Sequence, residues 1–231
     1  MSDAAVVAAD SGATTATNEP RLKLTEIFHS LQGEADAVGW PTVFVRLTGC
    51  PLRCTYCDTA YAFYGGEWWT PDAILDQVAS FGARHVCVTG GEPLAQKRCL
   101  QLLAKLCDAG YSVSLETSGA IDIAGVDARV SRVVDIKTPG SGEVERNLWS
   151  NMALLAARDQ VKFVICSRAD FDWAKDVVFE HRLHETCDVL FSPSHAQVSP
   201  RELADWVVAE RLPVRFQMQL HKILWGEEPG R

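Results

Sequence analysis

Two hydrophobic periods alternate along this chain. Short, nearly continuous apolar runs such as Val43-Phe44-Val45 and Val86-Cys87-Val88 are separated by longer stretches whose apolar residues return every three or four positions. The first kind predicts strands buried on both faces, over Thr42–Thr48, His85–Thr89, Ser112–Thr117, Arg132–Ile136, Val161–Ile165, Asp188–Ser192 and Val214–Gln219. The second predicts helices. Thr70-Pro71-Asp72 opens one with a hydroxyl cap, a first-position proline and an acid in the first turn, and Gly82 stops it. Gln96–Ala109 runs at helical spacing to Gly110, and Ser199-Pro200-Arg201-Glu202 starts a further helix with a glutamate at the capping-box position. Asn147–Ala157 and Phe171–His181 complete the set.

Strand–helix–strand repetition implies parallel strands joined by right-handed crossovers. A closed eightfold barrel typically takes about 250 residues, and this chain has 231. The choice is an open doubly wound sheet or an incomplete barrel of six or seven parallel strands, in one α/β domain. In either, function belongs at the C-terminal ends of the strands, where the βα loops gather.

Composition narrows the class. Residues 1–20 contain six alanines and three acids but no Lys, Arg or aromatic residue. That segment reads as a flexible leader before a single domain over 21–231, because it cannot bury enough apolar surface to order itself. With 47% hydrophobic residues, 23% charged residues and a mean hydropathy of −0.02, the chain as a whole has an ordinary globular composition. A net charge of −8 argues against nucleic acid as a partner. No apolar run is long enough to span a bilayer, so no membrane is expected. Eight cysteines without an export signal point to reduced thiols in a cytoplasmic protein.

Three of those cysteines stand apart. Cys50-Pro-Leu-Arg-Cys54-Thr-Tyr-Cys57 directly follows a strand, and three thiolates within eight residues suit a soft metal centre. Zinc is the rival, but structural zinc takes four ligands, usually from paired clusters, and no second C-x-x-C exists here. Iron–sulfur clusters usually take four thiolates as well, so a three-cysteine loop suggests a cubane with one iron open to an outside ligand. Cys87, Cys99, Cys107, Cys166 and Cys187 lie among apolar neighbours and read as packing residues.

The loop resembles that of the radical S-adenosylmethionine superfamily, and Gly90-Gly91-Glu92-Pro93 falls where that superfamily carries its Gly-Gly-Glu-Pro element. Within it, segments from Glu26 to about Leu224 resemble the 7-carboxy-7-deazaguanine synthase family. They are Phe28-His-Ser-Leu31-Gln32-Gly33-Glu34, Phe44-Val-Arg46-Leu-Thr-Gly-Cys50, Cys57-Asp58-Thr59, Glu116-Thr117-Ser118-Gly119, Asp135-Ile136-Lys137 and, like that family's last strand, Gln217–Lys222. The resemblance departs at Ala35, where many members carry glycine.

That resemblance implies a shortened TIM-like (β/α) barrel, a homodimer, and a lyase that contracts 6-carboxy-5,6,7,8-tetrahydropterin to 7-carboxy-7-deazaguanine with loss of ammonia. It implies a [4Fe-4S] cluster on Cys50, Cys54 and Cys57, cleavage of S-adenosylmethionine to a 5′-deoxyadenosyl radical, Mg²⁺ at Thr59 beside Asp58, and a flavodoxin-like or other reductant. Gly91, Ser118, Asp135, Ile136, Lys137, Phe191, Ser192, Pro193 and Ser194 would meet the cofactor, and a carboxylate or carbonyl near Gly91 would hold its ammonium group. Leu31, Gln32, Gly33, Glu34, Arg46, Thr89 and His221 would clamp the pterin. An activase that places a radical on a partner's glycine and a zinc-stabilised binding module stand as alternatives. His85, His181, His184 and His195 read as structural or surface residues, and Trp68-Trp69 as packing near the first helix or at a subunit contact.

Overall fold

The computed structural model describes residues 20–226, 228 and 230, so all of the expected leader but Pro20 lies outside the described residues. A nine-stranded sheet carries the fold, in the order β3-β1-β2-β4-β5-β6-β7-β8-β9. The strands are β1 (Leu22–Leu31), β2 (Pro41–Leu47), β3 (Glu67–Trp69), β4 (His85–Gly90), β5 (Ser112–Thr117), β6 (Ser131–Ile136), β7 (Gln160–Ile165), β8 (Asp188–Pro193) and β9 (Arg215–Phe216). From β2 through β4 to β9 every pairing is parallel and, β3 at the edge apart, each strand lies beside the next in sequence. With right-handed crossovers, that order sends every connection to the same side of the sheet. The architecture is therefore the partial barrel and not the doubly wound sheet, whose strand order reverses.

Register assigns the two faces. Val43, Val45, Val86, Val88, Leu115, Val134, Val161, Phe163 and Phe191 point into one apolar core shared with helices α1 (Pro71–Ser80), α2 (Cys99–Asp108), α3 (Arg168–Glu180), α4 (Leu183–Thr186) and α5 (Pro200–Glu210). The alternate residues Phe44, Arg46, Thr89, Glu116, Asp135, Lys162 and Ser192 line a cavity on the other face. Adjacent strands keep them in rows, with Arg46 opposite Thr89 and Asp135 opposite Lys162. The caps read from sequence close as expected, with the Thr70 and Ser199 side chains accepting from the Ala73 and Glu202 N–H groups, and Ser167, not singled out from sequence, caps α3 by accepting from Asp170 N–H.

Three expectations are corrected. Asn147–Ala157 forms no α-helix but 3₁₀ turns, chiefly Trp149–Leu154. Its asparagines serve as tertiary bridges: Asn147 pairs with both backbone groups of Lys137, and Asn151 binds the Gly119 and Ile121 carbonyls and the Ile123 N–H. The strand expected over Val214–Gln219 is reduced to Arg215–Phe216, and its end turns into helix α6 (Leu220–Trp225). The antiparallel pair β1 and β3 was not expected at all. A bulge between Leu24 and Glu26 shifts the phase of β1, so Leu22 and Leu24 before it and Ile27 after it share the core face. That shift erases the period-two signal. Trp68 sits on the edge strand β3 and is exposed, with the Lys23 ammonium over its ring.

Candidate active site

The cavity measures about 250 Å³ and lies on the inner face, at the strand ends and among the loops that follow them. The loop after β2 delivers Cys50, Cys54, Cys57, Asp58 and Thr59 to its wall, and the turn after β4 delivers Gly91. Of the remaining residues singled out from sequence, Leu31, Gln32, Glu34, Arg46, Thr89, Ser118, Asp135, Lys137, Ser192, Pro193, Ser194 and His221 also line it. The side chains of Ile136 and Phe191 are buried in the helix-side core instead. His195, read as a structural or surface residue, is exposed and also lines the cavity.

Two glycines set the close approaches. A Cβ on Gly91 would stand 2.5 Å from the Gly49 carbonyl oxygen and 2.7 Å from Cys50 Cβ, so only glycine lets this turn seat the first cysteine. Gly33 does the same for His221, whose Nδ1 would lie 2.1 Å from an added Cβ. The glutamate of Gly90-Gly91-Glu92-Pro93 is fully buried. Its carboxylate accepts from Ser118 N and Oγ (2.6 Å each), Thr117 Oγ1 (3.0 Å) and Leu94 N (2.9 Å). It ties β4 to β5, which leaves backbone carbonyls and not this carboxylate to meet an ammonium group.

The cysteine loop is fastened from outside as well. Thr55 donates from N to the Ser141 carbonyl (3.0 Å) and from Oγ1 to the Gly140 carbonyl (2.8 Å). That turn is held in its place by buried Asp170, which accepts from Gly140 N (2.8 Å), Cys166 N (3.1 Å) and Thr138 Oγ1 (3.2 Å). Each buried donor left unmet costs about 1–3 kcal/mol. Asp170→Ala should therefore lower stability in urea unfolding by about 3 kcal/mol or more, and should shorten cluster retention on gel filtration.

The opposite wall is a polar network. Glu34 accepts from Lys162 Nζ (2.7 Å), Gln219 Nε2 (2.7 Å) and Gln217 Nε2 (3.4 Å). Burial opposes ionisation there, yet the Lys162 charge and these hydrogen bonds hold the carboxyl below its usual range. Arg46 is held through Nε by Glu26 (2.7 Å), which also accepts from the Tyr61 hydroxyl (2.8 Å). Glu116 accepts from Gln32 (3.5 Å) and Thr89 (3.3 Å), and burial lowers the His221 pKa, so that its ring is neutral at pH 7. Glu116, Gln217 and Gln219 lie in segments that carry the family resemblance but take no role of their own from it, and Lys162 escaped sequence reading: a lysine inside Val-Lys-Phe-Val carries no local mark of the face it occupies.

Ala35 follows Glu34 with φ of +62°. The strain of that left-handed conformation, about 1–2 kcal/mol for a residue with Cβ, is offset by its N–H bond to Gln217 Oε1 (2.6 Å) and its packing on Val133 and Leu190. At the mouth, Asp58 accepts from Lys222 Nζ (2.8 Å) and Thr59 Oγ1 (2.9 Å). Burial would raise its pKa, but the Lys222 bond and charge bring it down to about 2. A depressed carboxyl stabilises the fold above its unfolded pKa and loses that contribution as pH falls through the folded one. The α6 latch should therefore hold above about pH 4 and loosen toward pH 2, read by hydrogen exchange at 220–225. With 47% of the Asp58 side chain open to solvent, it contributes no more than about 1 kcal/mol.

The donor set fits an iron–sulfur cluster with a cofactor beside it. Three thiols share one wall of the cavity, and none of the eight cysteines is in a disulfide. Among the described residues no three His, Cys, Asp or Glu side chains already converge as metal ligands. Burial pushes the Cys54 thiol up to about 11, so cluster loading must draw a proton from it. The Tyr56 hydroxyl and Asp135 Oδ1 are buried on this cavity without a hydrogen-bond partner, as expected of groups that a ligand satisfies.

Such a loop on a partial barrel defines a radical S-adenosylmethionine enzyme, and residues 44–136 match the radical SAM superfamily. That class works with a [4Fe-4S] cluster and S-adenosylmethionine. The chain is 44% identical to the 7-carboxy-7-deazaguanine synthase of Chlorobaculum tepidum, over 92% of this chain and 98% of that one. It is 40% identical to that of Koribacter versatilis, over 90% and 98%. Its fold is similar to that of QueE from Escherichia coli, with a TM-score of 0.72 and 25% identity over 87% of this chain and 95% of that one. The chain belongs to the 7-carboxy-7-deazaguanine synthase family.

Proposed function

We propose that this chain converts 6-carboxy-5,6,7,8-tetrahydropterin to 7-carboxy-7-deazaguanine with loss of ammonia, in queuosine or another 7-deazapurine route. The observation that carries this reading is the placement of an ionised, multiply bonded Glu34 and the Arg46 guanidinium on the same cavity as the cysteine loop. A carboxylate accepts from the guanidine-like edge of a pterin, and an arginine pairs with a carboxylate. Gln32, Thr89 and neutral His221 supply further hydrogen bonds, and Leu31 with the stacked Phe28 and Phe44 rings (4.9 Å) supplies apolar walls. Gly33 seats His221.

Cys50, Cys54 and Cys57 would hold the cluster, with Gly91, Ser118, Asp135, Lys137 and Ser192–Ser194 around S-adenosylmethionine and only the backbone of Ile136 and Phe191 beside it. When bound, that pair supplies a 5′-deoxyadenosyl radical able to take a hydrogen atom from the substrate. The protein's own part is to orient the pterin, exclude water and keep its charged groups paired. The Thr59 hydroxyl and Asp58 form the oxygen-rich corner that suits Mg²⁺, which completes its shell with substrate and water. A flavodoxin-like or other low-potential reductant, a homodimer, a cytoplasmic setting and one catalytic domain over 21–231 after a leader belong to the same reading.

An anaerobic assay tests it. Reconstituted protein receives S-adenosylmethionine, reductant, Mg²⁺ and carboxytetrahydropterin, and products are read by mass spectrometry. Deazaguanine product in excess of the cofactor consumed is expected. 5′-Deoxyadenosine without that product would overturn the substrate, and product with unchanged yield after chelation of Mg²⁺ would remove the metal from the reading.

A further inference from the structure

Lys162 reaches both sides of the cavity. Its Nζ lies 2.7 Å from Glu34 Oε2 and 4.0 Å from Asp135 Oδ2, and Asp135 is separately paired with Lys137 at 2.9 Å. Asp135 and Lys162 are register partners on β6 and β7, whereas Glu34 arrives from the loop after β1. Only 13% of the Lys162 side chain and 10% of the Glu34 side chain are exposed. Burying an ammonium in mid-strand is costly, and a methionine of similar length would serve packing alone at less cost. The fold keeps the charge, so the charge must act on something the fold needs held.

Glu34 is that something. A carboxylate has about four acceptor sites, and Lys162, Gln217 and Gln219 occupy three, so one remains for a ligand. Without the ammonium, the buried carboxyl faces two neutral amides and desolvation then favours its protonated form. We infer that Lys162 is a positioning residue for the pterin, holding Glu34 as an aimed anion. This rests on the proposed substrate. Asp135, with its own Lys137, depends on Lys162 far less, so the cofactor side stays intact when Lys162 is changed.

The test uses cluster-loaded protein with S-adenosylmethionine, titrated anaerobically with 6-carboxypterin, an aromatic and unreactive probe. Wild-type protein that fails to bind the probe would overturn the proposed substrate, a failure separate from any of this inference. With wild-type binding established, Lys162→Met should weaken the probe about tenfold or more while S-adenosylmethionine affinity is unchanged. Adding Glu34→Gln to Lys162→Met should cost little further, because the two act as one unit. Lys162→Arg, which retains the charge, should recover part of the loss. Wild-type affinity in Lys162→Met, additive losses in the double variant, or an equal loss of S-adenosylmethionine binding would each overturn the inference. Should Lys162→Met not fold, Lys162→Gln is measured against the same outcomes.

Discussion

Cys54→Ala should yield a folded protein that cleaves no S-adenosylmethionine. Cys54 is only half-buried, and its loop is fixed by the Thr55 bonds to Gly140 and Ser141 rather than by the thiol. Partly exposed substitutions of this kind usually change stability by about 0.5 kcal/mol or less, so urea unfolding of the cluster-free protein should be nearly unchanged. Cofactor cleavage should fall to background, because two thiolates cannot hold a site-differentiated cubane. Iron and sulfide analysis, the cluster absorbance and 5′-deoxyadenosine formation measure the effect together. Retained cleavage would exclude the three-cysteine cluster. Zinc without sulfide in the wild-type protein would instead favour a structural metal site.

Gly91→Ala should do nearly as much harm through shape alone. The new methyl would meet the Gly49 carbonyl oxygen at 2.5 Å and Cys50 Cβ at 2.7 Å. Neither is the end of a flexible side chain. Gly91 N also donates to the Leu47 carbonyl and Glu92 N to the Gly49 carbonyl, so the two turns cannot part without losing those bonds. Overpacking of this kind costs about 1–3 kcal/mol. Stability of the cluster-free protein should fall by that amount, and cluster occupancy and S-adenosylmethionine affinity should fall with it as Cys50 is pushed aside. A variant with wild-type occupancy and affinity would show that the turn yields, and that Gly91 is not a close-packed floor of the cofactor site.

These two residues were legible because their chemistry is local. Cysteines three and four apart after a strand announce themselves, as does a glycine pair at the end of the next strand. The proposed clamp was named only through likeness to a known family, and of its supports Glu116, Gln217 and Gln219 fell inside the segments that carry that likeness without a role of their own, whereas Lys162 went unmarked. Lys162 sits in an apolar strand whose two faces differ only once the sheet has closed. Glu116 precedes a threonine and a serine that are bound by a different glutamate, Glu92. The β1 bulge reverses which residues face inward, so strict alternation fails where the chain first joins the sheet. Asn147 and Asn151 turned an apparent helix into loop because their side chains found tertiary partners, which no local propensity records.

The reach of the Glu34 network bears on how the protein is made. Its partners lie 128 residues onward at Lys162 and 185 onward at Gln219. On a ribosome, the cysteine loop and the first βα units can form while the end of the chain is still being synthesised. The carboxylate meets its last partner only when nearly the whole chain has emerged. On the proposed reading, a nascent chain stalled before β7 would carry all three loop cysteines and yet lack Lys162, Gln217 and Gln219, so pterin binding would be acquired after the cysteine loop has formed.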